Sequence, residues 1–413
     1  MDPIKKRGIL EIINVLPIDN LVEHAYSKTV ENFISLEEMI DYRLDKDKVE
    51  IVKNFKKRAD DEAQKSASLA AAALADKAEL KKLCDDIIKG LYNVSEINNG
   101  IKKNPELEEL LIESNSLSKD VIKKIKAYVT KEVNFSAWDT SQPLLPNRTD
   151  VFFFGVKGSG KSCVLASLFN YMDKEGLMPP NVENPIGLEY RNLLVNELKN
   201  GRLPESTAVQ SVDEDGVVHT IMNYMPIELR EIKNRDVIHP LNFIEMSGEM
   251  FQKASRTGES KELKQLFSCL GNDNKKLIFF VIDYHAHLAN SELQNQLVFT
   301  DFLGYLEKYN ILSKTDGLYI LLTKSDMFPA GVEKTQHAED FIKSEYKNLR
   351  NATIDFKKRH RNKFKVFLFP YSIGEVKFGG LLLSPNFDSP RYIIQAIQKH
   401  SYIAKKSFFG KMF

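Results

Sequence analysis

The feature that most constrains this chain is an eight-residue segment, GVKGSGKS at 155–162, placed between an apolar run and a helical pattern. It matches G-x-x-x-x-G-K-[ST], with VFFF before it and CVLASLFNYM after it. Glycines let the backbone curl so that successive N–H groups point at phosphate oxygens, and the following helix adds its positive N-terminal end. The segment therefore predicts a strand–loop–helix unit that binds a nucleoside di- or triphosphate.

The polar side chains of this segment have predicted roles in phosphate and metal binding. Lys161 is predicted to reach the β- and γ-phosphates, and the hydroxyl of Ser162 to bind Mg²⁺. The other predicted nucleotide contacts in the loop are Gly155, Lys157, Gly158, Ser159, Gly160 and Cys163. The alternative is a glycine-rich turn with a chance lysine, and the strand and helix patterns on either side argue against it.

Composition excludes several other classes of protein. The 413 residues are 43% hydrophobic and 28% charged, enough for two domains with packed cores. A net charge of +1 gives no surface-wide field for nucleic acid, so no nucleic-acid partner is expected. The three scattered cysteines predict neither a disulfide framework nor a zinc site. Without a signal peptide or a membrane-spanning apolar run, the chain is predicted to be soluble and cytoplasmic.

The first third of the chain has the composition of long helices. No glycine or proline occurs at 18–89, Ser35 followed by Glu38 matches a capping box, and Gly90 is a suitable helix stop. Residues 1–135 are therefore predicted to form an all-helical module. Its alanine-rich helix suits either close docking of a partner or packing in a bundle. The module is the predicted site of protein partners.

The composition changes after this module. Residues 136–150 contain two prolines and the single tryptophan, Trp138, and are predicted to form a linker. In 151–413, helical patterns alternate with apolar runs at 151–155, 240–246, 277–283, 317–324 and 365–372. Such runs are typical of strands buried on both faces, so this region is predicted to be an α/β domain with a largely parallel sheet.

Two later segments bear on the identity of the base. The strand at 317–324 leads into T-K-S-D, in which Asp326 is placed to accept hydrogen bonds from the ring N–H and the exocyclic amine of guanine. The stem of Lys324 is placed to lie over the base. The last predicted strand ends in Ser372-Ile373-Gly374, where a small turn can bring a backbone N–H to the guanine carbonyl.

The order of these elements resembles the Ras-like (TRAFAC) class of P-loop GTPases. Over roughly 150–400 the chain contains, in this order, a phosphate loop, E-x-x-G at 245–248, an apolar strand, T-K-x-D and S-x-G. The resemblance implies a Ras-like G domain, GTP and GDP as ligands, Mg²⁺ as cofactor and hydrolysis of GTP. It assigns guanine recognition to Thr323, Lys324, Asp326, Ser372 and Ile373. The abundance of lysine and asparagine suggests a bacterial origin.

The same resemblance assigns the metal and the switches. Glu245 stands where the family usually has a metal-linked aspartate, and Gly248 would donate its N–H to the γ-phosphate and begin switch II. Glu249 follows, where many members carry a catalytic glutamine; with Lys161 it completes the predicted catalytic pair. These departures predict slow or partner-activated hydrolysis. Thr207 is the predicted metal-binding threonine of switch I, and Thr220 is the fallback, although either could be an ordinary surface residue.

Two other functions stay open at this point. Asp283 ends an apolar strand and could serve as the metal carboxylate of an ATPase, in which case T-K-S-D is a coincidence. The alternative is that Asp283 caps the loop after its strand. A pseudo-GTPase scaffold that holds nucleotide without turnover is the other alternative.

The basic, aromatic tail around Lys405, Lys406 and Phe408 could touch an anionic membrane weakly or fold back on its domain. His285 and His287 lack further ligands, so no second metal site is expected.

Overall fold

The structure, a computed structural model, describes residues 77–114, 117–128, 143–179, 187–204, 211–212, 218–219, 222–257, 261–285, 293–360 and 365–404. The chain divides into two units, residues 1–128 and 129–413. Several predicted features lie outside the described residues: the Ser35–Glu38 capping pair, Trp138, Thr207, Thr220, His287 and the tail at 405–413. Among the described helices, none is both long and apolar enough to cross a membrane.

The first unit is helical wherever it is described. Its helices are α1 (Lys77–Ile88), α2 (Val94–Lys103), α3 (Glu106–Glu113) and α4 (Lys119–Lys126). Gly90 follows α1 with φ +79°, the left-handed conformation that favours glycine at a helix stop. Asn93 and Glu96 form a capping box at the start of α2. These local signals confirm a helical region ahead of the α/β domain.

The second unit is built on a six-stranded sheet. Its strands are β1 (Thr149–Phe154), β4 (Met222–Arg230), β5 (Ile238–Met246), β6 (Lys275–Asp283), β7 (Thr315–Thr323) and β8 (Lys365–Pro370), in the order β4-β5-β1-β6-β7-β8. Strand β4 at one edge is antiparallel to β5, and all other pairs are parallel. This mostly parallel sheet confirms the predicted fold class.

Helices cover both faces of this sheet. They are α5 (Lys161–Lys174), α6 (Leu188–Lys199), α7 (Gly248–Thr257), α8 (Lys261–Leu270), α9 (Leu293–Lys308), α10 (Lys334–Glu345), α11 (Lys347–Arg359) and α12 (Asp388–His400). Buried side chains of α5, α6 and α12 share one core with the sheet, and those of α7 to α11 share the other. Both faces are therefore apolar, which explains the continuous apolar runs in the sequence.

Stacked aromatic rings run across the strands on one face of the sheet. Phe153, Phe279, Tyr319 and Phe367 lie on successive strands, with neighbouring ring centroids 4.8, 4.4 and 4.9 Å apart. A side chain at Gly317 would meet the ring of Tyr319 at 2.7 Å, so glycine leaves the space that this ring fills. The stack fixes the register of four neighbouring strands, and hence the relative positions of the loops at their carboxyl ends.

A buried polar cluster lies at the amino-terminal edge of the sheet. Asp150 accepts hydrogen bonds of 2.7–2.9 Å from the side-chain amides of Asn242, Asn272 and Asn274. Burial raises its pKa, and these three bonds oppose the rise. Lys276 is fully buried beside it and donates to the carbonyls of Asn272 and Asn274. Burial lowers the pKa of Lys276 to about 8.

Three predictions of local structure need correction. Thr149 and Asp150, placed in the linker, begin β1. The segments at 208–212 and 217–229, on either side of the turn DEDG, predict one two-stranded ribbon. The ribbon is limited to β2 (Ser211–Val212) and β3 (Val218–His219), because β4 pairs with β5 as an edge of the main sheet. The hairpin of β9 (Gly374–Lys377) and β10 (Leu381–Pro385) was not predicted.

The β9–β10 hairpin and the segment after α6 are joined by backbone hydrogen bonds. The N–H of Leu203 donates to the carbonyl of Gly380, and the N–H of Leu382 donates to the carbonyl of Gly201. The segment that leads from α6 toward the predicted switch I is therefore anchored on the hairpin.

Candidate nucleotide-binding site

The phosphate loop joins the end of β1 to the start of α5. Gly158 and Gly160 have φ values of +78° and +88°, in the left-handed region where a side chain is strained. A Cβ at Gly155 would lie 2.5 Å from the carbonyl oxygen of Val281 on β6. All three motif glycines are thus required by the backbone path, which leaves the loop open above the N-terminus of α5.

Lys161 lies under this loop. Its Nζ donates to the carbonyl oxygens of Gly155 at 2.8 Å and Val156 at 3.0 Å. Burial lowers the pKa of Lys161, while the nearby carboxylates of Glu245 and Glu249 oppose that shift. A bound phosphate would add the anionic partner that a buried ammonium needs.

The hydroxyl of Ser162 and two other buried side chains form a hydrogen-bonded group at the first turn of α5. Ser162 Oγ donates to Oε1 of Glu245 at 2.7 Å, and Tyr190 Oη donates to Oε2 at 2.6 Å. Glu245 is 1% exposed. Burial, together with the Glu245 carboxylate, raises the pKa of Tyr190 well above its ordinary value, so this phenol is a neutral donor. The E-x-x-G carboxylate, and not Asp283, contacts the serine of the phosphate loop.

The turn after β5 packs directly on the phosphate loop. A Cβ at Gly248 would lie 2.2 Å from the backbone nitrogen of Lys157 and 2.5 Å from its Cα. Ser247 Oγ accepts the N–H of Met250 and caps α7. Glu249, the next residue, forms an ion pair of 3.1 Å with Lys157, and both side chains are about half exposed. The first residues of predicted switch II therefore lie beside the phosphate loop.

The T-K-S-D turn reaches the other side of the same loop. Thr323 Oγ1 lies 2.9 Å from the carbonyl oxygen of Ser159 and 3.0 Å from that of Ile282. Lys324 has φ +60°, a left-handed conformation that turns the chain out of β7. Its Nζ lies 2.7 Å from Oδ2 of Asp283, at the end of the neighbouring strand. The carboxylate of the alternative ATPase prediction is thus the ion-pair partner of this lysine.

Asp326 meets the S-x-G turn. Its Oδ1 accepts a hydrogen bond of 2.7 Å from Ser372 Oγ, and Ser372 Oγ accepts the N–H of Gly374. The backbone N–H of Ser325 donates to the carbonyl of Tyr371, which ties the two turns together. The two segments that the sequence assigned to base recognition are therefore adjacent in space.

The remaining predicted contact residues differ in their surroundings. Burial raises the pKa of the Cys163 thiol to about 12, so the thiol is neutral. The hydroxyl of Ser159 is buried and has no hydrogen-bond partner among the described residues. The carbonyl of Ile373 accepts the N–H of Asn386, and its side chain packs on the core shared with α12. Thr207 and its fallback Thr220 lie outside the described residues, so the threonine of switch I stays a prediction.

The oxygen atoms at the end of β5 fit Mg²⁺. This hard cation is usually held by one or two carboxylates together with hydroxyl, water and phosphate oxygens. Glu245 and Ser162 supply a buried carboxylate and a hydroxyl in direct contact. Among the described residues there is no cluster of three or more acidic, histidine or cysteine side chains that would hold a metal without a substrate.

Sequence reasoning missed the role of one residue of the site and a contact of another. Tyr190 lies in the helical pattern at 189–200, and no motif marks it. Asp283 is predicted either as a rival metal carboxylate or as a cap of the loop after its strand, and its position at the end of the strand next to Lys324 could have suggested the ion pair.

Comparisons with known proteins give matches only among solved structures. No protein-family model and no curated protein matches the chain. Toc33 from Arabidopsis thaliana with Mg²⁺ and GMPPNP is 13% identical, with a TM-score of 0.35, over 63% of this chain and 88% of that one. Toc33 with GDP and Mg²⁺ is 15% identical, with a TM-score of 0.32, over 62% and 87%.

A third solved structure has a similar degree of likeness. The signal recognition particle receptor SRb-GTP/SRX complex from Chaetomium thermophilum is 18% identical, with a TM-score of 0.31, over 55% of this chain and 93% of that one. Likenesses at this level carry no argument about function, and the bacterial origin stays a prediction. The fold assignment rests on the strand order and the loop geometry of this chain.

Proposed function

We propose that the second unit is a guanine-nucleotide-binding switch that hydrolyses GTP to GDP with Mg²⁺. The observation that carries this proposal is the contact between Thr323 Oγ1 and the carbonyl of Ser159. It places T-K-S-D against the phosphate loop, where a base attached to loop-bound phosphates would lie.

Guanine is the base that the polar groups favour. Asp326 presents a carboxylate, which accepts hydrogen bonds from the ring N–H and exocyclic amine of guanine. Adenine offers no such pair of donors. Ser372 donates to one oxygen of this carboxylate and supports its orientation. Lys324 is held by Asp283, and its stem would lie next to the base.

Phosphoryl transfer would depend on positioning and charge rather than on a covalent nucleophile. Water attacks the γ-phosphorus and the bond to the β–γ bridging oxygen breaks, giving GDP and inorganic phosphate. Lys161 and the loop N–H groups would bind the β- and γ-phosphates, and Ser162 with Glu245 would hold Mg²⁺. When bound, Mg²⁺ supplies positive charge against the phosphate oxygens.

Two weaker alternatives can be weighed on single observations. An ATPase using Asp283 is disfavoured, because that carboxylate pairs with Lys324 while Glu245 contacts Ser162. A scaffold without turnover is motivated by the two departures Glu245 and Glu249, and most by Glu249, since a carboxylate beside the phosphates adds negative charge where the family often has an amide. Both alternatives remain outcomes of the experiment below.

The experiment is a parallel titration of the full chain with fluorescent GDP, GTP, ADP and ATP, in Mg²⁺ and in EDTA. We expect guanine nucleotides to bind at least about tenfold more tightly than adenine nucleotides, which corresponds to about 1.4 kcal/mol. Asp326→Ala should abolish this preference. Asp340→Ala, which removes an exposed carboxylate bonded to Gln336 on α10, is the matched control and should retain it.

Turnover separates the switch from the scaffold. Multiple-turnover release of phosphate from GTP that Lys161→Ala abolishes would support hydrolysis by this site. Tight guanine binding without turnover would support the scaffold. Preference for adenine that survives Asp326→Ala would contradict the GTPase altogether.

The role of the helical unit follows as part of the same proposal. Its helices would bind protein partners that read or restrain the nucleotide state, in a cytoplasmic protein. The tail at 405–413 is the proposed site of a weak membrane contact. Retention of a partner by the full chain with GTP and its release with GDP would test the first of these roles.

A further inference from the structure

The carboxylate of Glu245 has a separate donor on each of its oxygens. Ser162 Oγ donates to Oε1 at 2.7 Å, from the phosphate loop side. Tyr190 Oη donates to Oε2 at 2.6 Å, from helix α6. Because the carboxylate is 1% exposed, little water is available to replace either donor. The orientation of this carboxylate thus depends on α6 as well as on the phosphate loop.

Helix α6 is fixed in place at both of its ends. Gly187 precedes it with φ +68°, and a Cβ there would lie 2.2 Å from the carbonyl oxygen of Tyr224 on β4. Beyond its carboxyl end, Gly201 and Leu203 are bonded to the β9–β10 hairpin. A helix held at both ends can position a side chain accurately. The hydroxyl of Tyr190 is therefore in place without any ordering by a ligand.

The extra methylene of Glu245 has a physical role in this arrangement. Where the related family usually carries aspartate, this chain carries a longer side chain, and that side chain contacts two hydroxyls on different helices. A shorter side chain would have to give up reach toward one of them. The glutamate and the tyrosine therefore act together as one unit.

We propose that Tyr190 is a positioning residue for the Mg²⁺-binding carboxylate, through which α6 contributes to Mg²⁺-dependent nucleotide binding. This inference rests on the proposed function, because it concerns the same metal. Removing the phenolic hydroxyl leaves Oε2 of Glu245 without its donor from α6, and the carboxylate can turn away from Ser162. The cost falls on Mg²⁺ binding, because Tyr190 contacts both proposed Mg²⁺-binding side chains, Glu245 and Ser162.

The test compares wild type with Tyr190→Phe by titrating Mg²⁺ into complexes with fluorescent GDP and measuring retention of the nucleotide. We expect the Mg²⁺ concentration for half-maximal retention to rise about tenfold, with GDP affinity in EDTA unchanged. Tyr224→Phe is the matched control, because it also removes one buried phenolic hydroxyl, which donates to Asn242 away from the phosphate loop. The Mg²⁺ concentration for half-maximal retention should be the same in Tyr224→Phe as in wild type.

The outcomes are distinguishable from failure of the proposed function. If wild type shows no binding of guanine nucleotide, both proposals fall. If wild type binds GDP with Mg²⁺ dependence and Tyr190→Phe has the same midpoint, only the role of Tyr190 is overturned. An equal loss of GDP affinity in Mg²⁺ and in EDTA also overturns it, since that is the result of general damage to the site. Thermal unfolding of each variant checks that it is folded.

Discussion

The ammonium of Lys324 lies 2.7 Å from Oδ2 of Asp283, so the ends of two neighbouring strands, β6 and β7, are joined by an ion pair. Asp283 is buried, whereas Lys324 is 40% exposed. The other carboxylate oxygen accepts the N–H of His285, which fixes its orientation. The lysine that the T-K-x-D pattern assigns to the base is therefore held in place before any ligand arrives.

This ion pair predicts the effect of Asp283→Asn. The lysine would lose its charged partner and sample more conformations, so guanine affinity should fall about three- to tenfold, a modest change because the lysine is partly exposed. The Mg²⁺ dependence of binding should be unchanged. Titration with fluorescent GDP in Mg²⁺ and in EDTA measures both quantities, and loss of the Mg²⁺ dependence alone would restore Asp283 as the metal carboxylate.

Gly248→Ala should disable the site without unfolding the protein. The new methyl group would overlap backbone atoms of Lys157, so the turn after β5 must move away from the phosphate loop. We expect phosphate release from GTP to fall at least about tenfold. The control is Gly304→Ala in α9, where a Cβ meets nothing within 4 Å.

The control has an expected effect of its own. Alanine is the better helix former, so Gly304→Ala should raise the free energy of unfolding by about 0.5–1 kcal/mol and leave turnover unchanged. Equal turnover in Gly248→Ala and wild type would show that the close approach of the turn has no part in hydrolysis.

Glu249→Gln should accelerate hydrolysis. The amide can orient an attacking water, and the substitution removes a negative charge beside the γ-phosphate. We expect single-turnover hydrolysis to be several-fold faster. Lys157→Met is the control, because it breaks the same ion pair while keeping the carboxylate. A rate for Glu249→Gln no higher than that of the control would remove Glu249 from the reaction.

The buried lysine of the polar cluster predicts a dependence of stability on pH. The pKa of Lys276 is about 8 in the folded protein, against an ordinary value of 10.5. Between these pH values the unfolded chain binds the extra proton, so Lys276 makes the free energy of unfolding rise with pH across that window. The rise is about 3 kcal/mol at most.

Lys276→Met isolates this contribution, because other groups that titrate in the same range are common to both proteins. Urea unfolding of wild type and variant from pH 7 to pH 10.5 should show that their difference in stability shifts in favour of wild type as the pH rises. A difference that stays constant over the whole range would mean that the lysine keeps its ordinary pKa in the folded state.

The fold and the ligand-facing motifs could be predicted because local patterns carry them. A motif glycine demands a particular φ, and an apolar run buried on both faces marks a strand of a parallel sheet. The pairing of Ser162 with Glu245, and of Asp326 with Ser372, follows once the strands are adjacent. Glu245, Asp326 and Ser372 lie at or just after carboxyl strand ends, and Ser162 begins the helix that follows such an end. The edge strand β4 was misplaced because the same alternating pattern serves a hairpin and a sheet edge.

Other features of the fold and the site depend on contacts between distant segments, which no local sequence pattern predicts. Tyr190 lies on an amphipathic helix in which a buried tyrosine is explained equally well by core packing. Lys276 begins an apolar run, where a lysine is normally exposed. The cost of burying its charge is offset only because the fold brings Asp150 and two asparagines against it. Such residues could be found by asking which polar groups the fold buries, but not by matching a motif.

The backbone bonds between the β9–β10 hairpin and the segment after α6 connect the two ends of the nucleotide site. The hairpin begins two residues after Ser372, which donates to the carboxylate proposed to read the base, and α6 carries the tyrosine that donates to the carboxylate proposed to hold Mg²⁺. Any coupling free energy between base and metal that passes through these bonds is reciprocal by thermodynamic linkage. If binding of the base changes the affinity for Mg²⁺ by some factor, binding of Mg²⁺ changes the affinity for the base by the same factor.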